Sequence, residues 1–253
     1  MSKVNVSAVS YLNSLPFVYG LRHSDIFQKI NLSLDYPAEC ARKVFSGEAD
    51  VGLVPAITLF KRNDYSIISD YCIGATSSVG SVMLLSNEPI DGLKTIHLDY
   101  QSRTSAALIQ ILAKYYWKIN VEWKLFSPTN LFQNISQNEG VLAIGDKVFE
   151  NQQKFSHRID LATEWLNFTG LPMVFALWLS GKELNADFLT TFNKALDFGL
   201  NNIPTVINEY DESILSKEEL EKYFKQNISY NFDEQKRRGL SKFFEYASML
   251  NNL

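Results

Sequence analysis

Three loops of this chain are rich in small polar residues, Ser10 to Ser14, Ser102 to Ser105 and Gly145-Asp146, each at or shortly after the end of a strand-like run. The chemistry that suits such residues is the holding of an anion. A helix N-terminus presents unpaired N–H groups and a partial positive charge, and Ser, Thr and Asn add neutral hydrogen bonds at modest desolvation cost. Two such ends directed at one ligand would clamp a dianion. The same residue types are also the ordinary caps of helices, so each loop taken alone reads as capping too. Asn13 at a helix entry is either a cap or a ligand-directed amide. Arg103 either pairs a carboxylate bidentately or points to solvent from a first turn. Asp146 is either a functional carboxylate at a strand end or a turn residue.

Other chemistries find less support. His23 and His157 fall in polar stretches, and His97 alternates within a strand, which reads as packing. A Ser–His–Asp set is recognised by geometry and is not readable from spacing. Neither G-x-G-x-x-G nor a phosphate loop occurs. Cys40 and Cys72 stand apart from any C-x-x-C or Cys/His cluster, so zinc is unsupported and both read as buried small hydrophobes. Trp165, Phe168, Phe175 and Trp178 cluster in sequence and could line a cleft, with core packing as the default role.

The elements that must position these loops follow from hydrophobic period. Lys3 to Val9 alternates as a strand, and Asn13 or Ser14 suits the N-cap of a helix opened by Pro16. Ile30 to Leu34 is a second strand, Pro37 to Phe45 a helix ended by Gly47, and Ala49 to Val54 a third strand closed by Pro55. This order predicts a parallel sheet with right-handed crossovers. After the apolar run Val79 to Leu85 the plan restarts. Thr95 to Leu98 is a strand, Tyr100 to Ser105 is polar, Ala106 to Tyr116 is helical, and Val121 to Phe126 and Val141 to Ile144 are strands. Met173 to Leu179 is a second long apolar run, followed by helices over Asn185 to Asn201, Lys217 to Gln226 and Asp233 to Asn251. The expected architecture is α/β and two-lobed, of the type II periplasmic-binding-protein kind, with an inter-lobe cleft. The outer lobe would comprise residues 1–87 and 177–253, and the central lobe residues 88–176. Ligands of open α/β sheets sit beyond the carboxyl ends of strands, where the three polar loops fall.

Bulk composition agrees with a globular chain. Hydrophobic residues make up 46% of the 253, enough to bury a core without a disulfide or metal. The net charge of −4 argues against a nucleic-acid partner, and Lys236-Arg237-Arg238 reads as a solvated helix face. No apolar stretch of about 18 residues or signal-peptide pattern occurs, so the expectation is a cytoplasmic protein with no membrane partner. Oligomeric state is not readable.

Several motifs resemble, in order over about residues 9–178, those of MqnA-type chorismate dehydratases of the futalosine-dependent route to menaquinone. They are Val9 to Phe17 (V-S-Y-L-N-S-L-P-F), Ala49 to Pro55, Gly80-Ser81-Val82-Met83-Leu84, Ser102-Arg103-Thr104-Ser105, Ile144-Gly145-Asp146 and Leu171 to Ala176. Val79-Gly80 departs from the basic residue often found before the Ser81 position. The resemblance implies a hydro-lyase that converts chorismate, a small dicarboxylate, to 3-[(1-carboxyvinyl)oxy]benzoate and water with no metal and no organic cofactor. It implies Asn13 and Ser81 as catalytic residues, with Ser10, Tyr11, Ser102, Arg103, Thr104, Ser105, Gly145 and Asp146 binding substrate. The matched motifs are mostly neutral, so the base is expected to be the substrate's own enolpyruvyl carboxylate, with Asp146 as competitor. Alternatives are the sister enzyme forming 1,4-dihydroxy-6-naphthoate and a cytosolic solute-binding or sensor protein.

Overall fold

The structure, a computed structural model, describes residues 3–60, 62–99, 102–126, 132, 135–211 and 214–250. Tyr100 and Gln101 of the expected polar loop, and Asn251 at the expected end of the last helix, lie outside these residues. Along the chain run β1 (Val4–Val9), α1 (Leu15–Arg22), β2 (Ile30–Asp35), α2 (Pro37–Ser46), β3 (Val51–Pro55), β4 (Ser66–Ala75), β5 (Val82–Ser86) and β6 (Thr95–Asp99). Then follow α3 (Arg103–Ile111), β7 (Glu122–Phe126), β8 (Glu139–Ile144), α4 (Asp146–Asn151), β9 (His157–Asp160), α5 (Leu161–Thr169) and β10 (Met173–Ser180). The chain ends with α6 (Ala186–Asn201), α7 (Ile203–Glu209), α8 (Lys217–Lys222), β11 (Ser229–Asn231) and α9 (Glu234–Ser248).

Two compact units result. The outer unit takes Met1–Gly74 and Val174–Asp233, and the central unit takes Ala75–Met173 and Glu234–Leu253. These junctions differ from the 87/88 and 176/177 pairs expected from sequence, and α9 belongs with the central unit instead of the outer one. Packing gives the reason. The Trp165 ring of α5 meets Phe243 and Tyr246 of α9 edge-on, with centroids 6.1 Å apart in each pair. At Gly239 the helix runs so near the chain that a Cβ would stand 2.1 Å from the Pro172 carbonyl oxygen. Lys236-Arg237-Arg238 is accordingly not a uniformly solvated face. Lys236 is buried on the side that carries Gly239, Leu240 and Phe243, while Arg237 and Arg238 are exposed. Helical spacing (i, i+3, i+4, i+7) puts those four on one stripe.

The two units share a topological plan. The outer sheet has strand order β11-β4-β10-β3-β1-β2, with β1 parallel to β2 and β3 and β10 antiparallel to β3. The central sheet has order β7-β6-β8-β5-β9, with β6 parallel to β7 and β8 and β5 antiparallel to β8. In each unit three parallel strands are therefore followed by one antiparallel strand. β3 is buried along its whole length, as its Val-Gly-Leu-Val-Pro sequence requires of a strand covered on both faces. α2 opens on Pro37 and closes on Gly47, whose φ of 78° is a left-handed cap that glycine adopts without strain. Both cysteines are buried, and burial pushes the Cys40 thiol up to about 12. Among the described residues no helix is long and apolar enough to cross a membrane.

Two contacts in the outer unit fix the turn after β1. α1 and α6 cross backbone to backbone: a Cβ on Gly20 would stand 2.0 Å from the Ala195 carbonyl oxygen, and one on Gly199 1.8 Å from that of Pro16. At the end of β2, Asp35 accepts from Lys43 Nζ (2.7 Å), Ser33 Oγ (2.7 Å) and Ser7 Oγ (2.8 Å), and its carbonyl accepts from Ser10 N (3.0 Å). Burial pushes the Asp35 carboxyl up, but the bonds from Lys43, Ser33 and Ser7 outweigh it and hold the carboxyl below its ordinary value. A depressed carboxylate contributes stability that is complete above its unfolded value of about 3.9 and is lost as pH falls through the lower folded value. The urea midpoint is therefore expected to drop below about pH 4, and more steeply in the parent than in Asp35→Asn. Equal slopes in paired urea titrations would rule this network out as a contributor.

Candidate functional site

In the outer unit the candidate residues occupy the turn leaving β1. Ser10 is exposed and Tyr11 buried, and Leu12–Ser14 forms a single 3-10 turn ahead of α1. Ser14 holds the backbone position of a cap on α1 but makes no side-chain cap bond; its hydroxyl lies against the Val9 and Tyr11 carbonyls. Asn13 is not a cap either. Its Oδ1 is buried and has no hydrogen-bond partner among the described residues, a state that costs about 1–3 kcal/mol unless something donates to it. Its carbonyl accepts from the Tyr230 hydroxyl (3.1 Å), whose ring packs on Phe17 with centroids 5.1 Å apart. Burial raises the Tyr230 phenol well above its ordinary value, so it stays a neutral donor. A hollow of about 490 Å³ in this unit is lined by Ser10 and Tyr11 together with Arg22, Glu209 and Asp211, and not by Asn13.

In the central unit the strand directions bring the other candidates to one sheet edge. β6 and β8 run parallel, so their carboxyl ends share an edge, and β5, antiparallel to β8, begins there. Ser102–Ser105 follow β6, Gly145 and Asp146 follow β8, and Ser81 precedes β5. Ser81 is buried, and its carbonyl accepts from Gly145 N (2.8 Å). Gly145, at φ 58° and ψ −141°, adopts a conformation open essentially to glycine alone, and it lets the chain turn from β8 into α4. Asp146 is the first residue of α4 and half-buried. At α3, Ser102 is the N-cap residue but makes no side-chain cap bond; Ser102, Thr104 and Ser105 are buried and Arg103 is exposed. Side-chain caps are made by Asp160, Asn185 and Ser216, which accept from the first-turn amides of α5, α6 and α8, whereas Tyr36 at α2 and Asn202 at α7 make none.

One pair at this edge is not marked by the sequence pattern. Asp99, the last residue of β6, is buried, and Lys147 Nζ of α4 lies 2.6 Å from its Oδ2. The pair ties the start of α4 to the strand end before α3. An Asp closing a fully buried strand is the one local signal for it. His97 lies at the middle of β6, 3.3 Å from Glu139 at the start of β8, in keeping with a packing role. The aromatic run does not form one wall. Trp165 and Phe168 pack with Tyr246 in the central unit, whereas Trp178 packs with Phe17 and Phe192 in the outer one. Among the described residues no group of three His, Cys, Asp or Glu could hold a metal ion.

Comparison with known proteins adds the following. The sequence pattern of a family described as menaquinone biosynthesis matches residues 4–249. A chorismate dehydratase of Thermus thermophilus is 25% identical over an alignment of 229 positions that covers 83% of this chain and 83% of that one. Among solved structures, a protein from Archaeoglobus fulgidus superposes with TM-score 0.75 at 17% identity, covering 98% of this chain and 97% of that one. A Candida albicans protein described as having the generic periplasmic binding protein fold gives TM-score 0.65 at 12% identity, with 100% and 92% covered. The periplasmic aliphatic sulphonate binding protein of Escherichia coli gives 0.62 at 13% identity, with 97% and 92% covered. The fold is therefore α/β and periplasmic-binding-protein-like.

Proposed function

The chain belongs to the menaquinone-biosynthesis family, and from that premise we propose that it is a chorismate dehydratase, a hydro-lyase forming 3-[(1-carboxyvinyl)oxy]benzoate and water. The observation that carries this reading is the gathering of Ser81, Ser102–Ser105, Gly145 and Asp146 at one sheet edge, together with the resemblance of the same motifs to that enzyme class. The likeness to the Thermus thermophilus enzyme supports it.

The reaction removes the ring proton at C3, which is vinylogously acidified by the ring carboxylate, and expels the C4 hydroxyl. The two fragments leave as water, and the ring becomes aromatic, which drives the step. The protein has to hold two carboxylates, stabilise developing charge and keep a base in place. In this proposal the start of α3, with Ser102, Thr104 and Ser105, receives the ring carboxylate, and Arg103 adds positive charge. Asn13 and Ser81 orient the enolpyruvyl carboxylate, which takes the proton, and the leaving hydroxyl. Ser10, Tyr11, Gly145 and Asp146 complete substrate binding. Neutral hydroxyls and amides position groups well but are poor bases near pH 7, which favours the substrate's own carboxylate.

Purified protein mixed with chorismate is expected to release one enolpyruvyl benzoate per chorismate consumed, followed by mass and ultraviolet spectrum. Unchanged chorismate with tight binding would replace the enzyme reading with that of a sensor. Neither turnover nor binding would exclude chorismate as the substrate.

A further inference from the structure

We propose that Asp160 is a positioning residue for Ser81, an inference that rests on the catalytic role given to Ser81 above. Asp160 closes β9 and caps α5, and as a cap alone it would need only one oxygen. Its Oδ1 accepts from Ala162 N and Thr163 N, both at 3.0 Å, which satisfies the helix. The second oxygen is turned to the loop that enters β5. Oδ2 accepts from Ser78 Oγ and Gly80 N, both at 2.8 Å, and Val79 N lies 3.3 Å from Oδ1. One carboxylate thus binds two successive amides and a hydroxyl in the three residues directly before Ser81.

The far side of Ser81 is held as well. Its carbonyl accepts from Gly145 N at 2.8 Å, and the ladder continues through Val82 and Ile144. Ser81 is therefore suspended between the Asp160 carboxylate on one side and the turn after β8 on the other. Gly80 makes the arrangement possible. Its φ of 72° lies in the left-handed region, where a side-chain-bearing residue is strained. That accounts for glycine at this position of the chain. The carboxylate reaches back eighty positions to the loop, so its work there is separate from the local work of starting α5. A shift of about 1 Å in a reacting group is enough to cost on the order of 10²-fold in rate, and this brace is what sets the height of the Ser81 hydroxyl on the sheet edge.

Two substitutions separate the brace from the cap. Asp160→Ser keeps a good N-cap but is too short to reach Gly80. Asp160→Asn keeps one acceptor for α5 and turns an NH2 toward the Gly80 N–H, which has no way to accept it. Ser78→Ala is the control, since it removes one donor and leaves both amides bound. The readouts are single-turnover rate with chorismate, Kd for the enolpyruvyl benzoate product, and amide hydrogen exchange. Both Asp160 variants are expected to lose at least about tenfold in rate with product Kd changed less than about threefold. Exchange should speed up at Val79 and Gly80 while Ala162 and Thr163 stay protected. Ser78→Ala should stay within about threefold of the parent rate.

Parental rates in Asp160→Ser would overturn the proposal, as would a rate loss accompanied by equal deprotection of Ala162 and Thr163, which would mark a cap and nothing more. If Asp160→Asn does not fold, Asp160→Ser decides. If the parent protein itself leaves chorismate untouched, the functional reading fails on its own. The exchange pattern then decides the brace, and unchanged protection at Gly80 overturns it.

Discussion

Asn13→Ala is expected to lose at least about tenfold in chorismate turnover and almost nothing in stability. Single positioned polar groups acting on a transition state are typically worth about 2.7–4 kcal/mol. The stability side follows from the geometry. Asn13 caps no helix, and its buried Oδ1 has no partner among the described residues, so the change removes an unsatisfied acceptor and no hydrogen bond from it. The Tyr230 bond goes to the backbone carbonyl and survives. Asp146→Asn is the companion measurement. With the substrate carboxylate as base it should keep turnover within about tenfold of the parent, whereas an Asp146 base would show a loss of about 10² or more. Single-turnover rates keep binding apart from chemistry. A well-folded Asn13→Ala protein with parental turnover would remove Asn13 from the site, and an inactive Asp146→Asn protein that still binds product would make Asp146 the base.

Gly199→Ala is expected to cost about 3 kcal/mol or more, at or beyond the upper end of ordinary overpacking. The added carbon would meet the Pro16 carbonyl oxygen at 1.8 Å and the Gly20 nitrogen at 3.0 Å. Both are backbone atoms, which do not move aside as the end of a side chain does. Gly47→Ala sets the scale. It too changes a glycine, but at a left-handed position with nothing within 4 Å, so only the backbone preference of about 1–2 kcal/mol is lost. Urea unfolding of the two proteins should therefore separate clearly, with Gly199→Ala the weaker. Equal midpoints would mean that α1 and α6 do not approach as closely as described. Because α1 starts at the residue after Ser14, a displaced α1 should also carry the Asn13 turn with it and reduce turnover in whatever fraction remains folded.

The strands that carry the site were legible in the sequence because their patterns are strong. Val4–Val9 alternates, Val51–Pro55 is apolar throughout, and Thr95–Asp99 and Glu139–Ile144 are buried strands flanked by recognisable turns. β9 and β11 were not legible because they are short edge strands. His157–Asp160 has four residues and Ser229–Asn231 three, too few to show a period of two, whereas the longer edge strands β2 and β7 do show one. The site was readable as three polar loops, but not the groups that fix them. Tyr230 acts on Asn13, Asp160 on Gly80, and Lys147 on Asp99, across separations at which no periodicity links the partners. Ser14 takes the N-cap position of α1 as its type suggests, but it makes no side-chain cap bond, for a reason spacing does not contain: two carbonyls close by take its hydroxyl. The placement of α9 depended on Gly239 fitting against Pro172, which is a matter of shape and not of pattern.

The strand order of the outer sheet has a consequence for biosynthesis. β10 stands between β4 and β3, yet it is made only after the whole of Ala75–Met173. A ribosome needs on the order of 5–20 s for that stretch. Through that interval the nascent amino-terminal segment carries β3 and β4 with their facing edges unpaired, a template for wrong partners. The central sheet has no such wait, since all five of its strands lie between Val82 and Asp160. Birth order is thus inverted: the half of the protein that leaves the ribosome first is the half whose sheet closes last.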